Sequence, residues 1–411
     1  MIVRVYEGSP HDQAASDLEC RMDLAAIQQA LRAHNLDGWL FYDHHYRDPI
    51  GYRILGLPTS MLVTRRWYYF IPAQGTPRKL VHRIEAGHLA SLPGETQVYS
   101  SWEEQHARLR ELVSGAQRVA MQYSPNNMIP YISLVDAGTV ELLRSFGVNV
   151  ITSADLVARF EATWSTEALA SHREAGKVID AAIRAAFKEV RRRLDASDVA
   201  LNEYAIQQFL VTTMRQGGLV VEEPPIVAVN GNAGNPHYEP HAQGSALIRE
   251  NDLLLLDVWG KCDRAGATYY DVTWMGYCGE KPPKPIHDAF ELVRSARDAA
   301  ISFVEHAVKA GQRLRGLEVD RVTRGVIEAA GRGAEFVHRT GHSIGESVHA
   351  NGANMDDLET HDVREILPNT CFSIEPGIYT QDYGIRLEVD MYIHDDHAEV
   401  TTAIQHEMVR I

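Results

Sequence analysis

No stretch of this sequence is apolar enough to cross a bilayer, and no low-complexity tract interrupts a mixture that is 45% hydrophobic and 23% charged. A soluble globular protein without a membrane partner is expected. No long run of Lys or Arg offsets the formal net charge of -15. A phosphate backbone would be repelled, which excludes nucleic acid as a partner, and Arg191, Arg192 and Arg193 read as a solvated helix face. Cysteine is scarce: Cys20, Cys262, Cys278 and Cys371 are the whole supply, without a CxxC pair. That argues against a disulfide framework and suits a reducing compartment. Residues 1–12 carry Arg4, Glu7 and Asp12 where a secretory signal needs an apolar run, so the cytoplasm is the expected location.

What the sequence does have is length and periodicity. At 411 residues it exceeds the size at which a single hydrophobic core usually stops growing, so two domains are expected. Leu24, Ile27 and Leu31 recur at helical spacing, and Leu36-Asp37-Gly38 leads into an apolar run over 39–42. Strand-like runs at 67–71 and 119–121 alternate with helical segments such as 102–113, predicting an α/β first domain over residues 1–160. A second domain, 161–411, opens on a long helix through Leu194 with Ser165 or Thr166 as its cap. Helical patterns return at 202–216, 286–310 and 319–330, each followed by a glycine (Gly217, Gly311, Gly331) suited to a left-handed stop. Strand-rich blocks at 253–278 and 371–393 complete an α+β unit with two strand pairs, and no sequence repeat is present.

The acidic residues on those pairs carry the chemistry. Asp257 ends a run of four leucines, where an unpaired charge is costly to bury. Asp271 follows Tyr269 and Tyr270 on the return strand, and a hairpin centred on Arg264 would set it directly opposite Asp257 on one face. Taken singly, either Asp is better explained as a strand cap or a solvent-facing residue. A second pair repeats the layout: Glu375 enters a turn near Gln381-Asp382, and Glu388 returns opposite it. Two acidic hairpins within apolar strands are hard to explain as accidents of surface charge.

His342 sits in Thr340-Gly341-His342-Ser343-Ile344-Gly345, with His338 and His349 nearby in sequence. A lone histidine here would more often be an ordinary hydrogen-bonded residue, but the acidic hairpins change its meaning. Four carboxylates and one imidazole, without a thiolate, suit two divalent cations. The Gly/Asn-rich segment from Asn230 to Tyr238 reads as a surface turn on its own; as a site loop it would bring His237 across from the metals.

These residues resemble the pita-bread metallopeptidase family, which includes methionine aminopeptidase, aminopeptidase P and Xaa-Pro dipeptidase. The motifs that carry the resemblance are Asp257, then Asp271 followed by Val272-Thr273, then Gly341-His342-Ser343-Ile344-Gly345, Glu375-Pro376-Gly377 and Gly384-Ile385-Arg386-Leu387-Glu388. It implies an α/β amino-terminal domain, similar to that of the creatinase-like and proline-specific members, followed by an α+β pita-bread catalytic domain. It further implies that Asp271 and Glu388 bridge two metals, that Asp257 binds one, and that His342 with Glu375 binds the other. His237 and His349 would contact the scissile peptide, Glu375 would accept the proton, and His338, Tyr379 and Arg386 would support the pocket. The expected cofactor is a pair of divalent ions, manganese first, with cobalt, iron or zinc as alternatives. The expected substrate is a small peptide cut before proline, by a homodimer.

The two aspartates are further apart than is usual in the family, so the hairpin is lengthened around 263–266, and Trp259 and Trp274 add bulk to the strand pair. The extra residues either shape the substrate pocket or form a solvent-facing loop tip. Two other functions compete: a metal-using hydrolase or lyase of a small non-peptide amide or osmolyte on the same fold, and a non-enzymatic interaction scaffold, which would have no need of the five ligand positions.

Overall fold

The structure, a computed structural model, describes residues 22–411; Cys20 and the segment 1–12 lie outside the described residues. The chain divides between Glu161 and Ala162 into two compact units.

The first unit contains α1 (Leu24–Ala33), β1 (Gly38–Asp43), α2 (Pro49–Leu55), β2 (Trp67–Pro72), β3 (Arg78–His82), β4 (Glu95–Tyr99), α3 (Trp102–Leu112), β5 (Arg118–Met121), α4 (Ala137–Ser145), β6 (Asn149–Thr152) and α5 (Ala154–Glu161). Its strands form one mixed sheet in the order β4-β3-β2-β1-β5-β6. Side chains alternate between the faces of a strand. Trp39 and Phe41 therefore point into one apolar layer with α1 and α2, while Leu40 and Tyr42 point into another with α3 and α4. Burial on both faces is why β1 and β2 are continuous apolar runs rather than alternating ones.

The second unit contains α6 (Thr166–Asp195), α7 (Glu203–Gln216), β7 (Leu219–Val220), β8 (Ile226–Val229), β9 (Leu253–Cys262), β10 (Tyr270–Tyr277), α8 (Lys284–Lys309), α9 (Gly316–Ala329), β11 (Ser343–Ile344), β12 (Cys371–Ile374), β13 (Gly377–Tyr379), β14 (Gly384–Arg386), β15 (Val389–Ile393), β16 (Ala398–Val400) and β17 (Val409–Arg410). Ser165 caps α6, its hydroxyl accepting from the Ala168 N–H. At the end of α7 the left-handed residue is Gly218 (φ 83°), one step beyond the expected Gly217, because Gly217 is itself the cap and keeps a negative φ (-79°); Gly311 and Gly331 adopt the left-handed conformation as expected.

The four leucines before Asp257 divide by parity. Leu254 and Leu256 pack toward α6 and α7, and Leu253 and Leu255 pack toward α8. Asp257 has the parity of the second set. The hairpin register pairs Asp257 with Thr273 and Asp271 with Trp259, so the two aspartates share a face as diagonal neighbours and are not directly opposite. The reason is the turn: Ala267 N–H donates to the Arg264 carbonyl and Gly266 takes φ 71°, which moves the centre one residue past Arg264. Trp274 packs with Val272 against the α6 layer, on the face opposite Asp271 and Thr273.

The other two sheets are β11-β12-β15-β16 and the pair β13-β14. Ile374 pairs with Val389 and Gly377 with Arg386, so across the gap between these pairs Glu375 stands at the register position of Glu388. Cys262, Cys278 and Cys371 are buried and unpaired. No helix among the described residues is long and apolar enough to cross a membrane.

The lengthened tip, 263–266, is exposed, and Arg264 reaches back to Glu174 of α6 (2.7 Å). Such an exposed ion pair is screened by water and adds little to stability. Removing the extra residues from this tip is therefore expected to leave thermal stability and the ranking of cleaved peptides close to unchanged. A reordered ranking in a peptide panel would place the tip over the pocket.

Candidate metal centre

Asp257 and Asp271 come from the paired strands β9 and β10, and Glu375 and Glu388 from the break between the β12-β15 and β13-β14 pairs. His342 lies just before β11. Its backbone N–H donates to Ser373 Oγ (2.9 Å), and that hydroxyl donates onward to Glu375 Oε1 (3.1 Å). The neighbouring Gly341 is required by space: a Cβ there would stand 1.9 Å from the Ser373 carbonyl oxygen.

These side chains converge. His342 Nε2 lies 3.6 Å from Asp271 Oδ2 and 3.4 Å from Glu375 Oε1. One ligand atom from each of Asp271, His342 and Glu388 falls within 4.8 Å of the others. Asp257 stands beside them through Arg386, whose guanidinium donates to its Oδ2. Thr273 Oγ1 donates to Glu388 Oε2 (2.8 Å) and accepts from Arg386 Nε (3.1 Å).

Burial and repulsion shift the acids. Asp271 and Glu388 are nearly inaccessible, and burial, reinforced by the neighbouring carboxylates, holds both well above the ordinary carboxylate range. Burial raises Glu375 as well, against the lowering influence of His342 and Arg386. Burial likewise pushes His342 below the usual imidazole range. Asp271 Oδ1 is buried without a hydrogen-bond partner. An orphaned carboxylate oxygen among other carboxylates, next to a neutral imidazole nitrogen, fits a site for divalent cations.

Around this centre, His338, Tyr379 and Arg386 form one chain. His338 Nδ1 donates to the Arg339 carbonyl (2.6 Å), leaving Nε2 to accept from the Tyr379 hydroxyl (2.7 Å), which accepts from Arg386 (3.0 Å). Burial first, and then Arg386, pushes His338 down to about 3, which keeps it neutral and able to accept. The His349 ring meets the His342 ring edge-on at 4.3 Å while its residue stays open to solvent. His237 is exposed and lies within electrostatic reach of His349.

Four further contributors come into view only in the fold. Asp390, fully buried on β15, accepts from the Asp271 N–H (2.9 Å). Its signal was available, since it interrupts the apolar strand Val389–Ile393 as Asp257 interrupts its leucines. Ser373 and Thr273 link ligand candidates by hydroxyl groups, which no spacing marks. Glu203 on α7 is fully buried and accepts from Val229 N–H, Asn232 Nδ2, the Tyr238 hydroxyl and Ala246 N–H. It clamps both ends of the loop that presents His237, which is therefore a fastened loop and not a free surface turn.

The chain is 31% identical over 239 residues to the Xaa-Pro dipeptidase of Lactobacillus delbrueckii subsp. lactis, a match covering 57% of this chain and 58% of that protein. It is 26% identical over 349 residues to the probable dipeptidase PepE of Mycobacterium bovis, covering 82% and 84% respectively. The crystal structure of dipeptidase PepE from Mycobacterium ulcerans superposes with a TM-score of 0.66 at 20% identity, over 95% of this chain and 99% of that one. That likeness speaks for the fold. The profile of metallopeptidase family M24 matches residues 170–395, and with it the site built on β9, β10 and the β12–β15 segment: the chain belongs to metallopeptidase family M24.

Proposed function

We propose that the chain is a dinuclear metal-dependent peptidase that hydrolyses the bond between a residue and a following proline in small peptides. The observation that carries this reading is the convergence of Asp271, His342 and Glu388 within 4.8 Å, with an Asp271 oxygen left unpaired in a buried site. Family membership and the similarity to a protein named Xaa-Pro dipeptidase support the choice of bond.

In this reading Asp257, Asp271, His342, Glu375 and Glu388 would hold the cations, with Asp271 and Glu388 as the central pair. The bound cations would acidify a water and polarise the scissile carbonyl. Glu375, the ligand candidate most open to solvent, takes the proton of the attacking water. His349, edge-on to the His342 ring, donates an N–H to the carbonyl oxygen as negative charge develops there. His237 delivers a proton to the departing proline nitrogen. The His338-Tyr379-Arg386 chain holds the pocket wall and keeps Arg386 against Asp257. An oxygen-rich donor set supports manganese as the first choice, ahead of cobalt, iron and zinc. Action as a homodimer in the cytoplasm belongs to the same proposal. The decisive experiment is a panel of Xaa-Pro dipeptides, longer Xaa-Pro peptides and small non-peptide amides, repeated with each metal; cleavage confined to the amides would overturn the reading.

Glu388→Ala should lose hydrolysis and lower the metal content together, because it removes one carboxylate of the central pair. Full metal occupancy with normal turnover would remove Glu388 from the centre. His349→Ala should keep its metals while turnover falls about 100- to 1000-fold, the usual loss on removing an oxyanion donor; unchanged turnover would discharge it from that role.

The raised carboxyl groups give a pH prediction. Asp271, Glu375 and Glu388 hold protons to higher pH in the metal-free protein than free carboxylates do. Metal must displace those protons, so loading should release protons and metal affinity should rise with pH through the range in which these groups titrate. Calorimetric titration of manganese in buffers of differing ionisation heat checks this, and an enthalpy independent of buffer would show that the site was already deprotonated.

A further inference from the structure

Away from the centre, β15 and β16 are joined by the four residues His394, Asp395, Asp396 and His397. The register pairs Ile393 with Ala398 and Tyr392 with Glu399, and His394 N–H donates to the His397 carbonyl (2.8 Å), carrying the pairing one step past the strands. Because side chains alternate, His394, His397 and Glu399 all fall on the same face of this hairpin. The two imidazole rings stack at 4.2 Å with 9° between their planes, and His394 Nε2 lies 2.8 Å from Glu399 Oε2. One ligand atom from each of the three residues falls within 4.8 Å of the others.

Two surrounding groups prepare this cluster for a cation. Asp396 Oδ1 lies 2.6 Å from His397 Nδ1, which commits that nitrogen as a donor and leaves Nε2 with its lone pair, the arrangement that commonly orients a metal-binding histidine. Arg173 donates to both oxygens of Glu399 (2.8 and 2.6 Å) and holds the carboxylate in place. Each carboxylate oxygen has two lone pairs, so one remains for a metal. Asp395, Asp396 and Glu399 outweigh Arg173 in charge, so the face is net negative before any cation arrives.

We propose that His394, His397 and Glu399 form a peripheral site for one zinc ion per chain, separate from the carboxylate-rich centre. Two imidazoles and one carboxylate, with an open position for water, suit zinc better than the hard cations an oxygen-rich centre takes. The site closes the β15-β16 hairpin across its turn, and Arg173 links it to α6, so occupancy should stabilise the fold without touching the reaction.

The test is to saturate the protein with manganese, add zinc, and count zinc retained after gel filtration in wild type and in the double variant His394→Ala/His397→Ala. Displacement of manganese at the centre affects both proteins equally, so the difference reports the hairpin. Wild type should retain one more zinc per chain, and zinc should raise its Tm but not that of the variant, with peptide hydrolysis in manganese the same in both. As a milder change, Glu399→Gln should weaken zinc binding at least 10-fold while keeping both imidazoles. Equal zinc counts in wild type and double variant, or a zinc-dependent Tm rise that survives the double substitution, would overturn the site.

Discussion

Asp271 and Glu388 are buried beside one another, with Asp257, Glu375 and Asp390 close by, and Arg386 is the cation that reaches into the group. Mutual repulsion of that kind, in surroundings that screen poorly, would drive the side chains apart unless the backbone held them and cations answered them. Much of the second unit can be understood from this constraint. Each acid sits on or beside a strand whose neighbours are apolar: β9 and β10 lie between the α6-α7 layer and the α8 layer, and β12 and β15 pack under α8 and α9. Rigid strands supply what the electrostatics would otherwise undo.

The polar groups around the acids are arranged as neutral or singly charged intermediaries. Thr273, Ser373 and Tyr379 each bridge two functional groups by a hydroxyl, which can donate to one and accept from another without adding charge. His338 is kept neutral by burial and serves as an acceptor. Asp390 takes a different part: it receives a backbone N–H of Asp271 and so fixes the strand at the ligand candidate itself. On the opposite side of the loop system, Glu203 accepts four hydrogen bonds and fastens the segment that bears His237.

Sequence reading reached the elements and the identities of the candidate ligands, because both leave local traces. A helix shows its apolar stripe within a few turns, and a charge that ends four leucines is conspicuous wherever the strand lies. It did not reach the pairing of Asp257 with Thr273, because register depends on the conformation of a turn, and the φ of Gly266 displaced it by a residue. Nor does the sequence say which face the bulk of Trp274 takes; one step of parity from Thr273 sends it to the α6 layer. Asp390 breaks an apolar strand as Asp257 does, so the same local argument reaches it.

By itself the sequence determined the alternation of helices and strands, the two acidic hairpins, and the presence of a histidine among glycines, since each depends on residues within a short span. Only the tertiary structure decided that β9, β10 and the segment around β12 to β15 bring those groups within a few ångströms, that hydroxyls of Thr273 and Ser373 join them, and that the loop of His237 is tied down by a glutamate on α7. It also decided that His394 and His397 stack beside Glu399. The physical reason is that convergence between residues far apart in the chain is set by how buried faces pack and how turns fix register, and neither is written in any local run of amino acids.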